Sequence, residues 1–248
     1  MAGHSKWAQI KRKKAATDAK RGRLFTRLLR EIQVAARVGG GNVEGNPRLK
    51  TAIQTAKSYS VPADNIDRAV KRGAGASEGD AFEEINYEGY GPGGVALIIK
   101  SMTDNRNRTV SEIRHALSRH KGTLGTTNSV AHNFVNKGVL SLPRGAMEED
   151  QLIAVALEAG AEDVQANDGT WEVFVPPAEF NAVRRALEEH SSEVQGEIRL
   201  EPVVTVPVAG ETAEDLLKLL DVLDDLDDVQ SVVANFEIDE SELGRLES

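Results

Sequence analysis

Ten lysines and arginines stand among the first thirty residues, against the single acid Asp18. They are Lys6, Lys11, Arg12, Lys13, Lys14, Lys20, Arg21, Arg23, Arg27 and Arg30. Cations at this density neutralise phosphates and release condensed counterions, so binding is steeply salt-dependent, with a slope of about −0.9 per phosphate contacted on duplex DNA. Arginine adds a planar fork that grips phosphate oxygens or stacks on bases. Trp7, in the same segment, suits stacking on a base and anchoring a core equally well. A basic helix bundle without a partner, or one lying on an anionic membrane, uses the same residue types. The charge distribution favours nucleic acid. The formal net charge is −9, yet residues 1–80 hold 17 Lys and Arg against 7 Asp and Glu, and the remainder 13 against 32. A surface needs charge but not segregation, so the leading part of the chain reads as polyanion-binding.

Other chemistries find little support. There are no cysteines, which excludes disulfides, thiol catalysis and thiolate zinc sites and fits a reducing cytosol. His4, His115, His120, His132 and His190 form no HExxH pair and read as surface residues. Gly89, Gly91 and Gly94 have the GxGxxG spacing. A dinucleotide fingerprint needs a helix next, and residues 95–100 read instead as a strand, so this is a hairpin connection. Neither GxxxxGK[ST] nor GxSxG occurs. Asp221, Asp224, Asp225 and Asp228 fall opposite Leu216, Leu220, Leu223 and Leu226 on a helical wheel, which reads as a solvated face. The rival reading is a metal-dependent nuclease working through Asp224 and Asp225. We read the chain as a non-enzyme, with no catalytic residue, metal or cofactor. Residues 103–109 (TDNRNRT) and the loop 89–94 are polar and unusual in composition. Tyr90, Arg106 and Arg108 are candidates for a second functional surface. Helix capping by Thr103 or Asp104 is the alternative, which explains the polar residues but not the paired arginines.

The elements that must position these residues change period along the chain. Residues 6–19 suit a helix whose cations fall all round the wheel, so it cannot bury one clean face. Residues 22–38 place Phe25, Leu28, Leu29, Ile32, Ala35 and Ala36 on one stripe, and Arg23, Arg27, Arg30 and Arg37 on another that faces solvent. Gly39, Gly40 and Gly41 end that helix. Asn46-Pro47 caps a third helix reaching Tyr59, and a fourth spans 63–72 and stops at Gly73. Residues 73–80 (GAGASEGD) read as a linker. Strands follow at 82–88 and 95–101, with a helix at 106–120. Residues 134–200 then read as βαββαβ: strand 138–142, helix 148–159, strands 163–166 and 171–175 around Asn167-Asp168-Gly169, helix 178–190 and strand 193–200. Strand 203–206, helix 212–226 and strand 229–237 complete the chain. The flanking pieces are each too small to stand alone, so they are expected to join, with the βαββαβ unit inserted.

Several stretches carry a family resemblance. They are Met1-Ala2-Gly3-His4-Ser5-Lys6-Trp7, Ala19-Lys20-Arg21-Gly22, Asn46-Pro47, Asp64-Asn65-Ile66, Lys71-Arg72-Gly73, residues 87–94 (YEGYGPGG), residues 103–109, and Ser129-Val130-Ala131. The sequence resembles the YebC family over its whole length, departing at residues 131–134 (AHNF), where bulkier apolar residues are usual. The resemblance implies an α+β protein of three domains. These would be a basic N-terminal four-helix domain over 1–78, a discontinuous α+β domain over 79–133 plus 202–248, and an inserted ferredoxin-like domain over 134–201. It implies a cytoplasmic, DNA-binding transcriptional regulator, and since no stretch approaches the roughly 18 consecutive apolar residues of a membrane span, no membrane partner is expected. Relatives that include the mitochondrial translational activators imply an alternative, a ribosome-associated factor that relieves stalling at proline-rich stretches. Expected partners are therefore DNA or ribosomal RNA, with transcription or ribosomal proteins meeting the acidic domains. The sequence leaves the oligomeric state open.

Overall fold

The computed structural model of the chain describes residues 18–75, 82–167, 169–239 and 242, with side chains from residue 22 onward. The described residues up to Ala131, together with those from Val206 onward, form one compact unit; His132–Thr205 form another. The fold is α+β, with antiparallel four-stranded sheets and helices packed against them.

The first unit opens with three helices, α1 (Asp18–Gly39), α2 (Pro47–Ser58) and α3 (Ala63–Ala74). The expected helix over 6–19 lies outside the described residues except for Asp18 and Ala19, which already belong to α1. The stripe read from the sequence is the bundle core. Ile32, Ala35 and Ala36 pack with Leu49, Ala52, Ala56 and Ile66, and Phe25, Leu28 and Leu29 flank them. Asn46 caps α2 by accepting from the Leu49 N–H at 3.0 Å, and its amide nitrogen donates to the Ala35 and Gly40 carbonyls at 2.7 and 2.9 Å. One buried side chain thus satisfies orphan groups of two helices. Gly73 does not stop α3 as expected; the helix runs on to Ala74. A Cβ at Gly73 would stand 2.3 Å from the Gln33 carbonyl oxygen and 2.9 Å from Ala36 Cβ. The glycine is a point of close helix approach, not a terminator.

Beyond α3 come β1 (Glu83–Tyr90), β2 (Ala96–Thr103), α4 (Arg106–Arg119) and the short β3 (Thr123–Leu124). The glycine-rich segment is a hairpin connection: β1 pairs antiparallel with β2 in the register Glu83↔Thr103 to Tyr90↔Ala96. From the far end of the chain, β8 (Val206–Pro207), α7 (Gly210–Asp224), β9 (Val229–Ala234) and β10 (Phe236–Glu237) complete this unit. The flanking pieces join, since β9 pairs with β2 in a sheet of order β3-β1-β2-β9. Its core sets Leu97 and Ile99 against Ile113 and Leu117 of α4 and Leu216 and Leu223 of α7. The single strand expected over 229–237 breaks at Asn235, whose side-chain oxygen accepts from the Ala96 N–H at 2.7 Å. The strand expected over 203–206 shrinks to Val206–Pro207, which pairs in parallel with β10.

The second unit holds β4 (Phe134–Pro143), α5 (Glu149–Glu158), β5 (Asp163–Asn167), β6 (Thr170–Val175), α6 (Phe180–Glu188) and β7 (Gln195–Pro202). Its all-antiparallel order β5-β6-β4-β7 is the ferredoxin-like arrangement that the βαββαβ pattern implies. Leu140, Leu142, Trp171 and Val173 meet Leu152, Val183 and Leu187 in its core. Gly138 makes room for the Phe180 ring, since a Cβ there would lie 2.5 Å from Phe180 Cδ2. Among the described residues, no helix is long and apolar enough to cross a membrane.

Candidate nucleic-acid interface

The α1 stripe that buries Ile32 and Ala36 leaves Arg23, Arg27 and Arg30 on the opposite side, as helical periodicity requires. Arg37 of the same row is exposed as expected, but these three do not face solvent. Arg23 pairs with Asp225 at 3.0 Å, Arg27 with Asp224 at 3.3 Å and Arg30 with Asp228 at 3.0 Å. The Arg27 and Arg30 side chains are each only 14% exposed. The reason lies at the end of α7, which has no basic residue in its last turn. The negative end of a helix dipole, followed by Asp225, Asp227 and Asp228, attracts cations from elsewhere, and α1 supplies them. The aspartates therefore depart from expectation too: Asp224 and Asp228 are not a solvated face but the internal counterions of α1. Among the described residues, no group of three His, Asp or Glu side chains is placed to hold a metal ion.

The innermost carboxylate, Asp228, is 1% exposed. Its Oδ2 accepts from Thr109 Oγ1 and Arg108 Nη2, each at 2.7 Å, and from Arg108 Nε at 3.2 Å. Thr103 Oγ1 lies 3.2 Å from the same oxygen. Arg30 donates to the Asp227 carbonyl while its Nη1 stands 3.0 Å from Asp228 Oδ1, so the latter contact is one of charge rather than a hydrogen bond. The Arg30 guanidinium also lies 5.1 Å from the Phe82 ring centroid. Burial pushes the Asp228 carboxyl up, but hydrogen bonds from Arg108 and Thr109 and the charges of Arg30 and Arg108 outweigh it and hold the group below the usual carboxylate range. Hydrogen bonds to Asp228 and Asp104 raise Arg108 in turn.

The expected second surface does not assemble. Arg108 belongs to the Asp228 network, Arg106 Nε donates to Glu83 at 2.6 Å, and Tyr90 Oη donates to the Ser129 carbonyl at 2.9 Å. Glu83 and Tyr90 are the two ends of β1. At about 3.4 Å per residue they stand roughly 24 Å apart, so Tyr90 and the arginines serve different places. The cap of α4 is neither Thr103 nor Asp104 but Asn105, whose side chain accepts from the Arg108 N–H at 3.1 Å. Thr103 instead accepts from the Asn105 N–H at 2.8 Å.

Sequence reasoning missed Glu88, which is buried. Asn86 and Glu84, two and four residues before it on the same face of β1, give no hint of this. The Glu88 carboxylate accepts from the backbone N–H groups of Asn128, Val130 and Ala131 at 2.7, 2.7 and 3.0 Å. With Tyr90 it pins the segment 128–131 against β1. Of the basic segment itself, Lys6, Lys11, Arg12, Lys13 and Lys14 lie outside the described residues. Lys20 and Arg21 are placed on the first turns of α1 by their backbone.

Comparison with known proteins assigns the family. Residues 5–76 match the model of the TACO1/YebC protein N-terminal domain, and residues 82–236 match that of the TACO1/YebC second and third domain. A relative from Gemmatimonas aurantiaca, named a probable transcriptional regulatory protein, is 53% identical over 97% of this chain and 98% of its own. One of the same name from Rubrobacter xylanophilus is 51% identical over 97% of each chain. The crystal structure of a conserved hypothetical protein from Aquifex aeolicus superposes with a TM-score of 0.79 at 48% identity, covering 92% of this chain and 94% of that one. With both its N-terminal and its remaining domains matched, the chain belongs to the TACO1/YebC family.

Proposed function

We propose that this chain is a nucleic-acid-binding regulatory protein, a DNA-binding transcriptional regulator that engages phosphates through its basic N-terminal segment. One observation carries the reading: residues 1–21 hold seven cations against one acid in a chain whose net charge is −9. Those cations are Lys6, Lys11, Arg12, Lys13, Lys14, Lys20 and Arg21. Arg23, Arg27 and Arg30 already face carboxylates of the same molecule, so they are not the leading contacts. The acidic remainder repels phosphate and orients the molecule with its basic end toward the polyanion. It is also the surface offered to protein partners of the transcription or translation machinery. The name shared by the relatives supports a regulatory role.

A second reading, ribosomal RNA in a translation factor, is favoured by one feature. Read as a helix from the sequence, residues 6–14 would spread the cations at 6 and 11–14 round the wheel instead of along one face, which suits enclosure by an irregular RNA surface better than insertion in one groove. Reversing residues 11–14 to Glu tests both readings. Affinity for duplex DNA should fall sharply, and the salt slope should lessen by about 0.9 for each phosphate that is no longer neutralised. Cosedimentation with ribosomes that disappears on the same reversal, without a promoter footprint from the parent protein, would assign the RNA reading. Unaltered binding to both would remove the segment from the mechanism.

A further inference from the structure

We infer that the aspartates at the end of α7 stand in for phosphates, and keep the outer arginines of α1 closed to a nucleic acid for as long as those carboxylates are charged. The inference rests on the nucleic-acid reading above and adds a regulatory contact to it.

The three ion pairs form a graded series along α1. Asp225 is 54% exposed and meets Arg23, itself 34% exposed. Asp224 and Arg27 are 18% and 14% exposed. Asp228 is closed off and held also by Arg108 and Thr109. An exposed pair is weak, because water and salt compete for both charges. Arg23 first, and then Arg27, are therefore the arginines that a phosphate gains once their carboxylates lose charge, whereas Arg30 stays with Asp228. Seating of α7 does not depend on the outer pairs, since Leu216, Leu219, Leu220 and Leu223 bury its other side. Lys20 and Arg21 precede Arg23 on the same helix, so a polyanion held by the basic segment arrives beside the weakest of the three pairs. Arg23 and Arg27 lie one turn apart, about 6 Å along the axis, and together offer a polyanion two further contacts.

The test uses the full chain and a 20-base-pair duplex, with binding followed by fluorescence anisotropy from 50 to 300 mM KCl. Asp224→Asn/Asp225→Asn should bind several-fold more tightly than the parent at low salt, with a log–log slope steeper by about 1–2. D225N alone, at the exposed position, should shift both quantities the same way by less. Adding Arg23→Gln/Arg27→Gln to the double variant should return it to the parent affinity. Removing two negative charges anywhere weakens long-range repulsion, so E148Q/E149Q, in the other compact unit, is the matched control. Equal tightening by this control overturns the inference, as does an unchanged slope in the aspartate variants while the parent binds and the reversal at residues 11–14 abolishes binding. Absence of binding by parent and variants alike overturns the underlying reading and this contact with it.

Discussion

Two carboxylates of the first compact unit, Asp228 and Asp215, both titrate below their ordinary value because cations stand beside them, yet they do different work. Asp215 lies 2.6 Å from Lys121 Nζ, whose side chain is 64% exposed and also touches Glu211. The hydrogen bond from Lys121 is the main cause of its shift. Asp228 is enclosed, and its cations come from α1 and α4, some two hundred and one hundred and twenty residues away in sequence. At Asp215 water can replace any partner. At Asp228 it cannot, so each donor there ties a distant segment to the turn before β9. The same ion-pair chemistry is thus decoration in one place and a joint in the other, and burial makes the difference.

That contrast can be broken first at the joint. Asp228→Ala leaves Arg30, Arg108, Thr103 and Thr109 around an empty acceptor, and should cost about 3–5 kcal/mol of unfolding free energy in urea. A loss below about 1 kcal/mol would reduce Asp228 to the rank of a surface pair. A finer version follows the proton. Because folding depresses the Asp228 titration, the unfolded chain takes up this proton near 3.8 while the folded protein still resists it. The stabilisation is therefore present above that value and fades as pH falls through the lower folded one. Stability lost by the parent between pH 5 and pH 2.5 should exceed that lost by D228N, and parallel curves would show that the group is not linked to folding. The smallest effect is expected at the exposed cluster, where Lys121→Ala should leave the urea midpoint unchanged within error. A clear shift there would end the distinction drawn between the two sites.

Much of the fold was legible because burial of one face imposes a period. The apolar stripe of α1, the Asn46 cap, the hairpin through Gly91 and the βαββαβ unit each follow from local pattern and turn chemistry. Gly73 reads as a helix terminator but serves a helix crossing, because a lone glycine looks the same in either role. Tyr90, Arg106 and Arg108 look like one surface because they are polar and near in sequence, whereas the whole length of β1 separates Tyr90 from Glu83, the partner of Arg106. Glu88 carried no signal at all, since its partners are backbone amides of a loop about forty residues on.

Local pattern suffices for most elements, their order and the concentration of positive charge toward the N-terminal end. Periodicity says which side of a helix leaves its own core, but not what that side will meet. The arginines of α1 and the aspartates that end α7 each read as a stripe for water, and nothing local distinguishes a charge bound for solvent from one bound for an opposite charge. Tertiary structure alone brought the two stripes face to face, because the close packing of α1 in its bundle and of α7 on its sheet leaves each helix a single orientation, and in those orientations the rows coincide.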